Sequence, residues 1–198
     1  MLKHQRQFWD MPNRIVLLIG GYGSGKTYIG ALKSLYMSYL NSPVPGMYIS
    51  PSHQLATKTI IVTLKELCQR ADIDYTYNQQ RSEFTFHNWG GTIWLGSGDK
   101  PDSLRGPNIG WAVIDEPFIQ KREVFEQMIA RVRHPEAKKS QIFLTGTPES
   151  LNWGWVIAND PNMDIGTIQA STLDNPHLPD DYKESLLQAY SEEQIEAY

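Results

Sequence analysis

Cysteine, long apolar runs and internal repeats are what this 198-residue chain lacks. Cys68 is its one cysteine, so no intrachain disulfide can form, which suits a reducing compartment. No apolar run approaches the roughly 20 residues needed to span a bilayer, and none is expected to cross a membrane. The start, MLKHQRQFWD, carries no apolar stretch of the kind that marks a secretion signal. Large excess charge is missing too: the formal net charge is −4, with 40% hydrophobic and 20% charged residues. That composition describes an ordinary globular protein with enough chain to bury a core. The modest total hides an asymmetry. From residue 160 onward, nine acidic residues face Lys183 alone, so residues 1–159 are mildly basic. Such a balance permits contact with phosphates without requiring it.

What is present alternates between strand and helix signals. Short apolar runs without alternation at Arg14–Ile19, Met47–Ser50, Ala112–Asp115 and Gln141–Thr145 read as buried strands. Helices are expected over Lys26–Leu40, Gln54–Ala71, Lys121–Val132 and Pro179–Tyr190. Glu83–His87 and Thr92–Gly96 flank Asn88-Trp89-Gly90-Gly91 and predict a hairpin. Strands separated by helices imply an α/β fold, a mainly parallel sheet covered on both faces. Asn159 and Pro161 mark a possible subdomain edge.

The sharpest local signal is GGYGSGKT at 20–27. Gly20, Gly25, Lys26 and Thr27 satisfy G-x-x-x-x-G-K-[ST], after a strand and opening a helix. Glycine lets consecutive backbone N–H groups turn inward around a phosphate, and the helix start adds unpaired N–H groups. The expected nucleotide contacts are Gly21, Tyr22, Gly23, Ser24, Gly25, Lys26 and Thr27, with Lys26 on the terminal phosphates and the Thr27 hydroxyl on Mg²⁺. A second signal is Trp111-Ala112-Val113-Ile114-Asp115-Glu116, an apolar strand ending in two carboxylates. At the carboxyl edge of the sheet, Asp115 would reach Mg²⁺ through water and Glu116 would polarise the attacking water. Taken alone, the pair could equally cap the next helix. No N-K-x-D stretch, by which GTPases of this class read guanine, occurs in the chain, which favours ATP.

These stretches together resemble the ATPase part of the large terminase subunit, the motor that packs DNA into tailed-phage heads. The resemblance rests on GGYGSGKT, on PDSLRG at 101–106 followed by VIDE at 113–116, on LTGTP at 144–148, and on STLDNPHLPDDY at 171–182, similar to that family's T-x-x-N-P-x-L-P stretch. It implies a P-loop NTPase fold of the RecA/ASCE-like kind, with a core over 1–159 and a small lid or linker over 160–198. In the family that linker leads towards a nuclease domain, for which the chain, ending at Tyr198, leaves no room. The resemblance also implies ATP hydrolysis driving double-stranded DNA into a procapsid. Implied partners are further copies of the chain in a ring on a capsid portal and a small terminase subunit, in the host cytoplasm and away from membranes. A helicase-like ATPase, or an assembly module that binds nucleotide with little turnover, are the competing readings. Residue by residue, the resemblance makes Glu116 the catalytic acid and Asp115 and Thr27 the metal contacts. It makes Arg105 an arginine finger offered to a neighbouring subunit, against a plain salt bridge. Thr147 would couple hydrolysis to movement, against an ordinary turn. Gln5 would read adenine, with Gln7 the rival and an exposed helix the bland alternative. Many terminases carry arginine in the loop where this chain has Tyr22, which either packs on nucleotide or faces solvent. The basic residues Lys121, Arg122, Arg131, Arg133, Lys138 and Lys139 are interleaved with acids, so a face for DNA phosphates or for the next subunit and a plain solvated helix are equally expected.

Overall fold

A computed structural model describes residues 1–147 and 153–190. Pro148 of the LTGTP stretch and the acids beyond residue 190 lie outside the described residues. In chain order the elements are α1 (Lys3–Asp10), β1 (Ile15–Gly20), α2 (Lys26–Asn41), β2 (Gly46–Ser50), α3 (His53–Lys58), α4 (Ile60–Arg70) and β3 (Tyr75–Asn78). They continue with β4 (Glu83–Phe86), β5 (Gly91–Ser97), β6 (Trp111–Asp115), α5 (Arg122–Arg131), β7 (Gln141–Gly146), α6 (Trp153–Ala158), β8 (Ile165–Ala170) and α7 (Asp180–Ala189). A short 3-10 turn at Pro101–Leu104 precedes β6, and another, Thr172–Asp174, follows β8.

The strands form one 8-stranded sheet in the order β3-β4-β5-β2-β6-β7-β1-β8. From β5 to β8 every neighbouring pair is parallel, and β3 and β4 add an antiparallel edge. Side chains alternate across the pleat and create a core on each face. Val16, Leu18, Tyr48, Val113 and Phe143 point to the face covered by α1, α2 and α4. Leu17, Ile49, Ile114 and Leu144 point to the face covered by α5 and α6. A doubly covered parallel sheet explains why its strands read as unbroken apolar runs. β7 is inserted between the strand before the glycine-rich loop and the strand carrying the acids. The mainly parallel sheet covered on both faces is the α/β arrangement expected. Among the described residues no helix is long and apolar enough to cross a membrane.

Two local expectations are corrected. The helix expected over Gln54–Ala71 is two helices, broken at Thr59 (φ −119°, ψ −87°). The Thr59 hydroxyl donates back to the Leu55 carbonyl at 2.9 Å, a local bond that competes with regular helix geometry. β3 and β8 have no counterpart among the expected strands, because each is a half-exposed edge strand without an apolar run. β8 lies within the segment expected as lid or linker from residue 160 and pairs with β1.

One buried cation ties α1 to this frame. Lys33 of α2 is 1% exposed, donates to the Phe8 carbonyl at 2.6 Å, and lies over the Phe8 and Phe143 rings. Burial, with Lys139 nearby, pushes its ammonium from 10.5 down to about 7, while Asp10 opposes the shift. Between those two values the unfolded chain holds the proton that the folded chain has released, so stability rises with pH across that window. Relative to Lys33→Met, the parent should gain up to about 1.4 kcal/mol per pH unit on going from pH 7.5 to 9, measured by urea unfolding. Parallel pH profiles for the two proteins would contradict the buried-lysine account.

Candidate functional site

The glycine-rich loop leaves β1 at Gly20 and enters α2 at Lys26. Gly21 N–H is anchored on the Ala170 carbonyl at the end of β8, and Ser24 N–H folds back onto Gly21 O. The turn passes through Gly23 at φ +76° and Gly25 at φ +82°, conformations that L side chains rarely adopt. At Gly25 a Cβ would also stand 2.6 Å from Gln5 Nε2. Lys26 is 6% exposed, and its ammonium folds over the loop, 3.4 Å from Gly21 O and 3.4 Å from Glu116 Oε1. Tyr22 is 44% exposed and its ring centroid is 5.5 Å from the Lys26 ammonium. Thr27 sits in the first turn of α2, half-buried.

Asp115 and Glu116 stand at the carboxyl end of β6, the same edge as the loop. Asp115 is 3% exposed, accepts from the Thr145 hydroxyl at 2.9 Å, and has its carbonyl held by Gln120 Nε2 at 2.6 Å. Burial first, and the Glu116 charge second, raise its carboxyl to about 7, with Thr145 and Lys26 pulling the other way. Glu116 occupies the left-handed region (φ 49°, ψ 57°), an uncommon and costly conformation for a side chain of its size. Two bonds meet it there: Thr147 N–H donates to Oε2 at 2.9 Å and the Thr147 hydroxyl to Oε1 at 3.4 Å. The geometry thus brings Lys26 at the start of α2, Glu116 after β6 and Thr147 after β7 into one contact chain. The implied magnesium is consistent with the donors present. Thr27 and Asp115 would offer hard oxygen donors, and a buried carboxyl held above its usual range would be stabilised in its charged form by a divalent cation.

Other anticipated residues are placed less centrally. Arg105 follows the Pro101–Leu104 turn, where buried Leu104 anchors the segment, and its side chain is 64% exposed. It pairs with exposed Asp102 at 3.1 Å, and none of its described contacts reaches the loop of its own chain. Gln5 is buried against the loop, with Nε2 on the Gly25 carbonyl and Oε1 on Leu2 N–H. It lines a cleft of about 590 Å³ with Gly25, Tyr28, Arg70, Asn175 and His177. Gln7 is exposed and lines a separate cleft with Lys3, His4, Gln169 and Asp174. Of the basic residues around α5, Arg122 pairs with Glu126 and Arg133 bonds Asn108.

Sequence reasoning missed three residues at the loop. His4 Nε2 lies 2.9 Å from Ser24 O, the Thr172 hydroxyl donates to Tyr22 O at 2.7 Å, and Asn175 Nδ2 donates to Gly23 O at 2.7 Å. The STLDNP stretch was a signal for the last two, as a motif without an assigned contact.

Residues 17–198 match the family described as terminase large subunit, T4likevirus-type, N-terminal. The PBSX phage terminase large subunit of Bacillus subtilis (strain 168) is 30% identical over 139 residues, 69% of this chain and 32% of that protein. The large terminase of a thermophilic bacteriophage in complex with ATP-gamma-S superposes with a TM-score of 0.82 at 15% identity, covering 96% of this chain and 49% of that one. The large terminase ATPase domain of Thermus phage P74-26 gives a TM-score of 0.70 at 14% identity, covering 96% and 89%. The chain therefore spans about a third of the curated relative and half of the terminase solved with ATP-gamma-S.

The raised Asp115 carboxyl has a consequence for stability. Below pH 3.8 both the folded and unfolded forms are protonated; above that, the unfolded form ionises first, and the folded state is progressively disfavoured until about pH 7. Asp115→Asn keeps an acceptor for Thr145 and removes this penalty. In calorimetry without divalent metal it should melt several degrees above the parent at pH 8, with the advantage shrinking towards pH 5. An advantage independent of pH would remove the electrostatic explanation.

Proposed function

The chain belongs to the terminase large-subunit family of the T4-like-virus type, and from that premise we propose that it is the ATP-hydrolysing part of a phage DNA-packaging motor. The observation that carries this reading is the contact of Lys26 with Glu116 across the loop, with Glu116 held by Thr147. A P-loop lysine next to a carboxylate that is itself tied to the strand between them is the set of groups that water attack on a terminal phosphate requires. ATP would lie along the loop, with its base towards the cleft lined by Gln5. The loop N–H groups and Lys26 would neutralise the phosphates. As the phosphate draws Lys26 away, Glu116 would be released to accept a proton from the attacking water. The P–O bond to the leaving diphosphate then breaks. Thr27 and Asp115 would hold Mg²⁺, whose chemistry is to neutralise charge on the phosphate oxygens. Thr147 shares hydrogen bonds with Glu116, so a change at the γ-phosphate would pass into the segment after β7.

Double-stranded DNA, a ring of identical subunits on a capsid portal and a small terminase subunit are the partners this reading assigns. The exposure of Arg105 supports an arginine offered to a neighbour. It also keeps the salt bridge to Asp102 as the resting arrangement. A module that binds nucleotide without turnover would share the loop but not the catalytic demand on Glu116.

Glu116→Gln keeps the hydrogen bonds from Thr147 and loses the charge. Binding of an ATP analogue should persist while steady-state hydrolysis falls roughly 10²–10⁴-fold. Turnover at the parent rate would move the catalytic role elsewhere. If Arg105 acts in a neighbour's site, activity per subunit should climb steeply with protein concentration, because the contact is heterologous. Mixing Arg105→Ala with Glu116→Gln subunits should then restore part of the activity. A rate per subunit that stays flat, with no recovery on mixing, would return Arg105 to its own chain.

A further inference from the structure

Four consecutive carbonyls of the phosphate loop are each held from outside by a side chain. Tyr22 O accepts from the Thr172 hydroxyl at 2.7 Å and Gly23 O from Asn175 Nδ2 at 2.7 Å. Ser24 O meets His4 Nε2 at 2.9 Å, and Gly25 O accepts from Gln5 Nε2 at 3.2 Å. A carbonyl only accepts, so His4 carries its proton on Nε2 in this contact. Two of these groups come from α1 and two from the 172–175 stretch, at the far end of the described chain. Behind Gly23, the Leu178 side chain closes the same side: a Cβ on that glycine would sit 3.1 Å from the Leu178 methyls.

A trans peptide places its C=O and the next N–H on opposite sides. Holding the carbonyls of residues 22, 24 and 25 on the outside therefore turns the N–H groups of Gly23, Gly25 and Lys26 to the inside, while the Ser24 N–H is taken up by Gly21 O. A glycine-rich loop left to itself samples many backbone states, and ordering each residue costs conformational entropy at the moment of binding. Resting on the nucleotide reading above, we propose that His4, Gln5, Thr172 and Asn175 form a collar that pre-shapes the loop for the phosphates of a nucleoside triphosphate. They are positioning residues that act through the backbone. The T-x-x-N-P stretch is thereby given a task within the nucleotide site, and the site is incomplete unless α1 and the segment after β8 are both docked.

Thr172 does not line the cleft towards which the base would lie, so its bond to the loop separates the collar's effect from contact with the base. Thr172→Val removes one hydroxyl at nearly constant volume, and Asn175→Asp replaces the donor by an acceptor facing a carbonyl. Each should weaken binding of ATP-gamma-S and of inorganic tripolyphosphate, both with Mg²⁺, by the same factor, about 5- to 20-fold, the worth of one hydrogen bond with an orphaned partner. Thr172→Ser should restore both affinities. Titration calorimetry on the whole chain reads the factors, and a thermal melt checks folding. If Asn175→Asp melts much lower than the parent, the Thr172→Val and Thr172→Ser pair still tests the same loop through a single hydroxyl. Unchanged tripolyphosphate affinity in Thr172→Val at a parent-like melting point overturns the collar. So does a loss seen with ATP-gamma-S alone, which would instead make the segment a reader of the base. A parent that binds neither ligand would overturn the nucleotide reading itself, and the collar with it.

Discussion

Holding a glycine-rich backbone in a single turned shape is the constraint on which the site depends. To serve the proposed nucleotide the loop would have to keep N–H groups aimed at one point, yet the glycines that make the turn possible also make it floppy. The chain answers with bonds from three directions. Gly21 is hung from the end of β8, the carbonyls of residues 22 to 25 are caught by side chains, and Lys26 begins a helix packed deep in the core. The sheet therefore positions the loop twice, through β1 that leads into it and through β8 beside it.

The second demand is charge in a place that disfavours it. Asp115 and Lys33 are both buried, and each is pushed towards its neutral form by loss of water. The two serve different ends. Lys33 fastens the Phe8 end of α1, the helix that presents His4 and Gln5 to the loop. Asp115 waits at the sheet edge beside Glu116 as a hard oxygen donor. Both lower stability near neutral pH, the usual trade when a fold holds polar groups ready for ligand.

The third feature is the insertion of β7 between the strands bearing the loop and the acids. It places Thr145 against Asp115 and Thr147 against Glu116. Thr147, the residue after β7, is thus bonded to the carboxylate proposed to act at the γ-phosphate. In the proposed motor that bond would give coupling a physical route, because the Thr147 N–H and the Glu116 carboxylate are bonded to each other. The strained left-handed backbone of Glu116 fits such a role, because Thr147 supplies part of the compensation.

The chain by itself determined the parts whose information is contiguous. A strand, a glycine-rich turn and a helix start occupy residues 15–27 without a break, and an apolar strand with two acids occupies 111–116, so local pattern suffices to read them. Parallel order followed from strands separated by helices. Only the tertiary structure decided what grips the loop. His4 has no motif around it, Thr172 and Asn175 belong to a motif that names no contact, and the partners of all three are backbone atoms that look alike at every position of a sequence. β8 and the break at Thr59 escaped for the same kind of reason. An edge strand is defined by the neighbour it bonds to, and a helix interruption by a side chain that prefers its own backbone. Periodicity reports which face a residue buries. It carries no record of which distant carbonyl a side chain will reach, because that bond exists only once the two segments have been packed together.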